Sequence, residues 1–467
     1  MTTSAIGRSE DWAHETFGRA DLGDSRRTRR LVKLAGDLAR HIGKTVVQSC
    51  GGQEAAVEGA YRLVRNNRIS AAAIADSGYA ATAERVQRCG LLLALEDSTT
   101  LSYGHQVVAE LGDLGGPKGS NQRGYLVHSV LLLDGQSERI EGLIDQVRWR
   151  RESRKRGQRH QRRSRAYEEK ESYKWEQASV RVATRLGGKM REVISVCDRE
   201  ADVYEYLRYK VTRQQRYIVR NSWNRRTAGE AGDVRATARQ LPGLGQYQVL
   251  LAQKGGRRAR RAEVTLKAGV VTLRCPRRAP GRFEDLTMNL VLVEEAGREG
   301  KEKLEWLLLT SEPVDTFQQA RQVVRYYELR WRVEEFHKAW KSGAGVERQR
   351  MQAAANLERM AVILAFVAIR LLQLRESVAH EEAPCTQVLS EHEWQALWLA
   401  RETTPLPSTA PTLHWAYENI ARLGGWNDSK RTGRPGWQTI WNGWFILQER
   451  AQGFTAAMNL MKRNEKM

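Results

Sequence analysis

Apolar residues recur with helical spacing near the start of the chain. Leu31, Leu34 and Leu38 form one stripe, and Asp24 or Ser25 precedes it as a side chain that can cap a helix. Arginines crowd the first turns of this helix, where the helix N-terminus also favours phosphate. This face is predicted to contact DNA backbone, or else to be a solvated basic surface. The same spacing predicts further helices over residues 53–64 and from residue 70.

From residue 91 the pattern changes to short apolar runs, which are typical of buried strands. The first run ends at Glu96 and Asp97, and the fourth ends at Asp198. Strand runs followed by helices predict an α/β fold with a mixed sheet covered by helices. The runs lie at residues 91–95, 125–133, 139–149, 193–197 and 217–219.

Two later regions differ from this core. Residues 222–305 alternate apolar and polar positions around turns, which predicts a β-strand insertion. Residues 379–467 read as helical and hold half of the chain's tryptophans, which either fill a small core or form a partner-binding surface. These changes of pattern therefore predict three parts of the chain, at residues 1–70, 71–378 and 379–467.

Charge points to a polyanionic partner. Lys and Arg number 76 against 55 Asp and Glu, which gives a net charge of +21 and favours nucleic acid. Residues 148–165 alone carry ten Lys or Arg and one Glu, a net +9. The composition predicts a loop there, which either grips DNA or is simply solvated.

Several functional classes are excluded by the sequence. The five cysteines are widely spaced, without a CxxC pair, which argues against a disulfide scaffold or zinc finger. The N-terminal segment MTTSAIGRSEDW has no apolar signal core and no apolar run reaches membrane length, so a cytoplasmic protein without membrane contact is expected. Pro117 replaces the second glycine of a phosphate-loop-like segment at 112–118, so no nucleotide cofactor is expected.

Three carboxylates are candidates for catalysis. Asp97 and Asp198 follow predicted buried strands, and Glu334 lies on a predicted helix over residues 316–341. At 100° per residue, Glu334 shares one face of that helix with a set of polar side chains, opposite an apolar face. This set is Tyr327, Arg330, Lys338 and Lys341.

Carboxylates on rigid elements are hard oxygen ligands for Mg²⁺. Two such ions, about 3.5–4 Å apart, stabilise the attacking and leaving oxygens of a phosphoryl displacement. Each acid also has a structural alternative: Asp97 as a strand-end cap, Asp198 as a turn residue, and Glu334 as an intrahelical ion pair. Together with the basic charge, the three acids favour a metal site.

The segments around these acids resemble a known family. Residues 95–103 (LEDSTTLSY), 196–202 (VCDREAD) and 327–341 (YELRWRVEEFHKAWK) are similar to the DDE motifs of insertion-sequence-4-type bacterial transposases, nearest to the insertion-sequence-50 type. The last segment contains the Tyr-(2)-Arg-(3)-Glu-(6)-Lys signature as Tyr327, Arg330, Glu334 and Lys341. The similarity extends from residues 23–28 to residues 424–433.

This resemblance implies a ribonuclease-H-like mixed-sheet catalytic domain at 71–378, with a β insertion at about 222–305. It also implies two flanking α-helical domains, a transposon-end DNA-binding domain at 1–70 and a dimerisation domain at 379–467. It implies a bacterial, nucleoid-associated cut-and-paste transposase that pairs transposon ends as a homodimer. Cleavage would use two Mg²⁺ ions, for which Mn²⁺ can substitute, and would pass through a DNA hairpin before the 3′ ends join target DNA. The implied partners are double-stranded transposon ends and target DNA.

The resemblance also implies residue roles. Asp97, Asp198 and Glu334 would be the catalytic metal ligands, and Trp306 would stack on a base flipped out at the hairpin. The other residues implied to contact DNA are Tyr327, Arg330, Lys338, Lys341, Arg220, Arg350 and Asn356, with Arg26, Arg27 and Arg30 from the N-terminal helix. Two alternatives stay open: a catalytically silent end-binding repressor, and a stand-alone ribonuclease-H-like nuclease.

Overall fold

The computed structural model describes residues 9–115, 122–151, 165–251, 260–276, 283–297, 303–378, 382–429 and 435–464. Most of the basic segment at 148–165 therefore lies outside the described residues. Contacts divide the chain into two compact units. The first unit comprises residues 1–82, 100–125 and 335–467, and the second comprises residues 83–99 and 126–334.

The N-terminal part of the first unit is helical, as the apolar spacing predicted. Its helices are α1 (Ser9–Phe17), α2 (Ser25–Arg40), α3 (Val46–Ser49), α4 (Glu54–Arg65) and α5 (Ala71–Arg85), the last of which continues into the second unit. The Asp24 carboxylate caps α2 by accepting a hydrogen bond from the Arg26 backbone N–H at 2.8 Å. Leu31, Leu34 and Leu38 are buried, which confirms the predicted stripe.

A mixed sheet holds the strands of the second unit, and β2, the end of β1 and the start of β3 are the parts of this sheet that belong to the first unit. Its order is β2-β3-β1-β5-β6-β10-β9-β8-β7, with β4 beside β3. The pairs β1·β5 and β5·β6 are parallel, whereas β3·β4, β6·β10 and the strands beyond β10 are antiparallel. The bounds are β1 (Leu92–Tyr103), β2 (Gly112–Asp113), β3 (Arg123–Asp134), β4 (Ile140–Trp149), β5 (Val193–Cys197), β6 (Arg216–Arg220), β7 (Gly243–Leu251), β8 (Arg260–Leu273), β9 (Leu286–Glu295) and β10 (Glu305–Thr310).

Helices α6 (Lys174–Leu186), α7 (Tyr204–Thr212) and α8 (Val234–Gln240) complete the second unit, together with α9 (Phe317–Leu329). The predicted β insertion at 222–305 holds β7, β8 and β9, together with α8, which the alternating pattern did not predict. These strands are not a separate layer, because β9 pairs with β10 and β10 pairs with β6. The insertion therefore extends the main sheet.

The first strand is longer than predicted. The sequence predicted its end at Glu96 and Asp97, but β1 continues to Tyr103. The parallel pairing with β5 does stop at the pair Glu96 and Cys197. However, β1 has β3 as its other neighbour, and the residues that follow Asp97 include threonines and a tyrosine, which favour strands. Asp97 thus lies inside a strand rather than at its end.

The predicted helix over residues 316–341 is also interrupted. It comprises α9, then a break at Arg330, then α10 (Trp331–Lys338) and a π-helical turn (Ala339–Gly343). At the break, each N–H donates to the carbonyl three residues earlier, instead of four as in an α-helix. The Arg330 N–H donates to the Tyr327 carbonyl and the Val333 N–H to the Arg330 carbonyl, both at 3.1 Å. This tighter turn replaces the continuous α-helical pattern. The predicted apolar face is buried nonetheless, at Leu329, Val333, Phe336 and Trp340.

The C-terminal part of the first unit contains the helices α11 (Ala354–Val378), α12 (Glu391–Arg401), α13 (Leu413–Leu423) and α14 (Trp437–Asn464). Trp394 and Trp441 are buried, and the other described tryptophans of this region are half-buried. Within the described residues, the tryptophans therefore fill a helical core, which favours the first of the two alternatives. None of the helices in the described ranges combines the length and the apolar composition of a membrane span.

Candidate active site

The register of the parallel strands brings Asp97 and Asp198 to the same place. Glu96 and Cys197 are the last paired residues of β1 and β5, so Asp97 and Asp198 are the next residues on neighbouring strands. Paired strands lie about 4.8 Å apart. The Asp198 carboxylate accepts a hydrogen bond from the Glu200 N–H at 2.8 Å, so its turn-forming role is real and fixes its position.

Arg330 joins two of the three candidate acids. Its Nη1 atom lies 3.5 Å from Oδ2 of Asp97, and its Nη2 atom donates to Oε1 of Glu334 at 2.5 Å. The interruption between α9 and α10 falls at this residue. All three side chains are largely buried, with 12% of Arg330, 16% of Asp97 and 27% of Glu334 exposed. The second unit therefore encloses a guanidinium among acids from three different elements.

Burial makes the negative charge of this cluster costly. It raises the pKa of Asp97 to about 6; Arg330 opposes the rise, while Asp198 and then Glu334 add to it. Burial likewise raises the pKa of Asp198, against the hydrogen bond from the Glu200 backbone. Because the pKa values of these buried carboxyls are raised, a positive charge added beside them would stabilise their ionised form.

Asp97, Asp198 and Glu334 are candidate ligands for divalent metal ions, because carboxylate oxygens are the ligands that such ions prefer. Within the described residues, the ligand atoms of Asp97, Asp198 and Glu334 do not all lie within 4.8 Å of one another, as Cys89, Asp134 and Glu141 do. Two ions about 3.5–4 Å apart do not require all ligands to converge on one point. Nη1 of Arg330 is buried and makes no hydrogen bond to the described residues, so its contact with Asp97 is an ion pair at 3.5 Å without a hydrogen bond.

The Cys89, Asp134 and Glu141 group has a different character. It lies in the second unit, and burial raises the pKa of Glu141 while the charges of Arg85, Arg88 and Arg139 oppose the rise. Burial also raises the pKa of the Cys89 thiol to about 11, which disfavours the thiolate form that binds metal ions.

We expect Asp97→Asn to stabilise the metal-free protein at high pH. Because the folded-state pKa is about 6 and the ordinary value is lower, the ionised carboxylate costs folding free energy that grows as pH rises from about 4 to 6. In EDTA at pH 8, the variant should melt about 3 °C higher than wild type, and the difference should vanish near pH 4. Thermal denaturation measures this difference in melting temperature. Asp315→Asn, at an exposed residue, is the control. A difference in melting temperature that does not depend on pH would contradict the raised pKa of Asp97.

The sequence did not predict the hydrogen bonds that hold the two neighbours of Asp97 in the chain. The Ser98 hydroxyl lies 3.1 Å from Nδ1 of His128, and Nε2 of His128 lies 3.4 Å from Oε2 of Glu96. Glu96 and His128 are buried. The two neighbours of Asp97 are thus held by one histidine of β3. No sequence signal marked His128, because it occurs inside an apolar run far from Asp97 in the chain.

An aromatic and basic group lies beside the acids. The rings of Trp306 on β10 and Tyr327 on α9 meet edge to face, with centroids 5.4 Å apart and an interplanar angle of 71°. Burial raises the pKa of Tyr327, while the charges of Arg220 and Arg330 oppose the rise. The structure therefore brings Trp306, Tyr327, Arg220 and Arg330 together.

Four other predicted DNA contacts lie in the first unit. Lys338 and Arg350 are exposed. Burial lowers the pKa of Lys341, and Glu347 opposes this effect. The Asn356 side-chain oxygen accepts a hydrogen bond from Arg359 at 2.9 Å. The roles of these four residues stay predictions.

The N-terminal arginines differ in their surroundings. The Arg26 side chain is 84% exposed and lies 3.7 Å from Asp24. The Arg27 guanidinium donates to the Leu22 carbonyl at 2.8 Å. Arg30 packs against α4, since a Cβ atom at Gly59 would lie 2.4 Å from its Cζ. Arg26 is thus the arginine of the three that points most fully into solvent.

The helices that carry these arginines belong to a recognised class of DNA-binding domain. Residues 9–69, which hold α1 to α4, match the family model described as transposase DNA-binding. The domain is of the kind typical of insertion-sequence-4-type transposases. Residues 9–69 of this chain are therefore similar to the DNA-binding domain of transposases.

Proposed function

We propose that this protein is a transposase that cuts and pastes DNA through a ribonuclease-H-like catalytic core. The observation that carries the proposal is the cluster of Asp97, Asp198 and Glu334 around Arg330. The strand order β4-β3-β1-β5-β6, in which an antiparallel pair precedes parallel strands, supports the ribonuclease-H-like core.

The three acids would hold two Mg²⁺ ions, or Mn²⁺ in their place. When bound, such ions stabilise the attacking and leaving oxygens of an in-line phosphoryl displacement. The protein's own contribution is positioning: Asp198 is fixed by its turn, and Asp97 is held between neighbours that His128 contacts. Arg330 and Tyr327 would orient the scissile phosphate.

The proposed reaction proceeds in four steps. Water first cleaves one strand at the transposon end. The freed 3′-hydroxyl then attacks the opposite strand and closes a DNA hairpin. A second water opens the hairpin, and the 3′ ends finally join target DNA. Two copies of the chain would pair the ends, with end recognition by the N-terminal domain.

A labelled duplex tests the proposal. The duplex carries the terminal inverted repeat that flanks the coding sequence, and it is incubated with purified protein in Mg²⁺ or in EDTA. Hairpin-ended product in Mg²⁺ alone is the expected result. Nicks without hairpins would indicate a stand-alone nuclease, and a bound but uncut duplex would indicate an end-binding repressor.

Trp306→Ala should slow hairpin formation more than first-strand nicking. Only the hairpin step requires a displaced base, and stacking that base on an aromatic ring contributes about 1–3 kcal/mol. We therefore expect a loss of about 10-fold or more in the hairpin rate constant, measured by quenched-flow sampling of both products. Trp306→Phe keeps an aromatic face and is the control. Equal slowing of both steps would contradict the stacking role.

A further inference from the structure

The loop after β6 presents an exposed tryptophan. Trp223 is 65% exposed, and of the tryptophans in the described ranges it is the one most open to solvent. An exposed indole costs free energy in water, because its large apolar surface stays hydrated. Nothing in the catalytic cluster described above involves this side chain.

The loop that carries Trp223 is held rigidly. The buried Asp202 carboxylate accepts hydrogen bonds from the N–H groups of Ser222 and Trp223, at 2.6 and 2.9 Å, and from Nδ2 of Asn221 at 3.1 Å. The Arg225 guanidinium also pairs with Asp202. Because one buried carboxylate binds the backbone at Ser222 and Trp223 and the side chains of Asn221 and Arg225, the exposed indole is displayed by a fixed loop.

This loop leaves the sheet at the end where the candidate acids lie. Asp202 ends the short turn that Asp198 begins. The β5·β6 register pairs Cys197 with Val219, so the residues after Val219 emerge beside Asp198. The Asn221 N–H donates to the Leu307 carbonyl at 2.8 Å, one residue from Trp306. The loop that carries Trp223 and the start of β10, which carries Trp306, therefore lie at the same end of the sheet.

The charges beside the loop favour DNA over a protein partner. Arg199 and Arg226 are exposed, and Arg220 ends β6 immediately before the loop. Aromatic rings among arginines are the usual means of holding unpaired nucleotides, since the rings take the bases and the cations take the phosphates. A fixed ring also loses little conformational entropy on binding.

We propose that Trp223 packs against an unpaired nucleobase at the DNA end, as a second aromatic contact separate from Trp306. This inference rests on the proposed function, because it needs a DNA end with disrupted pairing beside the acids. It assigns the Asp202 loop to substrate binding, with Asp202 acting as a positioning residue.

Photocross-linking tests this inference in the full-length protein. Duplexes of the flanking inverted repeat carry a single 5-iododeoxyuridine at successive positions, and binding is performed in EDTA. We expect cross-links at the terminal positions that persist in Trp223→Phe and disappear in Trp223→Ala. Trp223→Ala should also bind the intact end about 10-fold more weakly, but bind a duplex lacking the terminal base pairs as wild type does.

The controls separate the alternatives. Val270→Ala removes another exposed apolar side chain, since Val270 is 61% exposed, and should change neither result. Equal weakening on both duplexes, or cross-links that persist in Trp223→Ala, would overturn the inference. So would unchanged DNA binding with loss of self-association in light scattering, which would identify a protein interface. Parallel cleavage in Mg²⁺ reports on the proposed function separately, because the cross-links need no cleavage.

Discussion

Asp97→Ala should abolish strand cleavage while leaving DNA binding intact. The side chain is largely buried beside Asp198 and faces Arg330, so its loss removes one of the proposed metal ligands. Loss of residues that merely orient a ligand costs 10- to 100-fold, so we expect loss of the ligand itself to lower the cleavage rate at least about 100-fold. The rate is measured under single-turnover conditions on a labelled end.

DNA binding by Asp97→Ala should remain unchanged, in contrast to cleavage. The transposase DNA-binding domain lies at residues 9–69, and Asp97 is not part of it. Electrophoretic mobility shifts with Asp97→Ala should therefore match those of wild type. Asp315→Ala removes an exposed carboxylate and serves as the control for cleavage. Cleavage within a few-fold of wild type in Asp97→Ala would exclude the proposed active site.

Arg330→Gln should have opposite effects on metal affinity and on cleavage. The guanidinium lies 3.5 Å from Asp97 and donates to Glu334, so it competes with added cations for the same carboxylates. Without this charge, Mg²⁺ should bind about 10-fold more tightly, because the interaction of close charges in a partly buried site is strong. Cleavage should nevertheless fall about 100-fold, since a phosphate-orienting cation is lost.

Isothermal titration with Mg²⁺ measures the first effect, and single-turnover cleavage measures the second. Arg330→Lys keeps the charge without the forked geometry, so its Mg²⁺ affinity should remain near that of wild type. Weaker Mg²⁺ binding in Arg330→Gln would show that Arg330 supports the metal ligands rather than competing with added cations.

Local patterns predicted the elements that hold the site. The apolar run at 193–197 is a strand with those bounds, and Thr316 caps α9 as the start of the predicted helix. These features depend on burial and capping within a few residues, which a sequence displays directly. If the two strands are assumed to be parallel neighbours, it also follows that Asp97 and Asp198 lie side by side.

The remainder depends on contacts between distant segments. The extension of β1 beyond Asp97 requires β3 as its neighbour, and the support by His128 joins strands 30 residues apart. The hydrogen bonds of Asp202 likewise link a turn to a loop 20 residues later. Composition could not show whether the tryptophans near the C-terminus lie in a core or on a surface. Only the packing of the helices shows that the described ones are buried or half-buried.

The pairing of β10 has a consequence for which DNA ends react well. Trp306 is connected to Asp198 through the hydrogen bonds of β10, β6 and β5, which belong to one sheet. Such a sheet does not stretch, so in the proposed reaction the DNA would supply the distortion that carries a base to the Trp306 ring. Pyrimidine–purine steps unstack most easily. We therefore expect ends with such a step beside the cleavage position to form hairpins faster than ends without one.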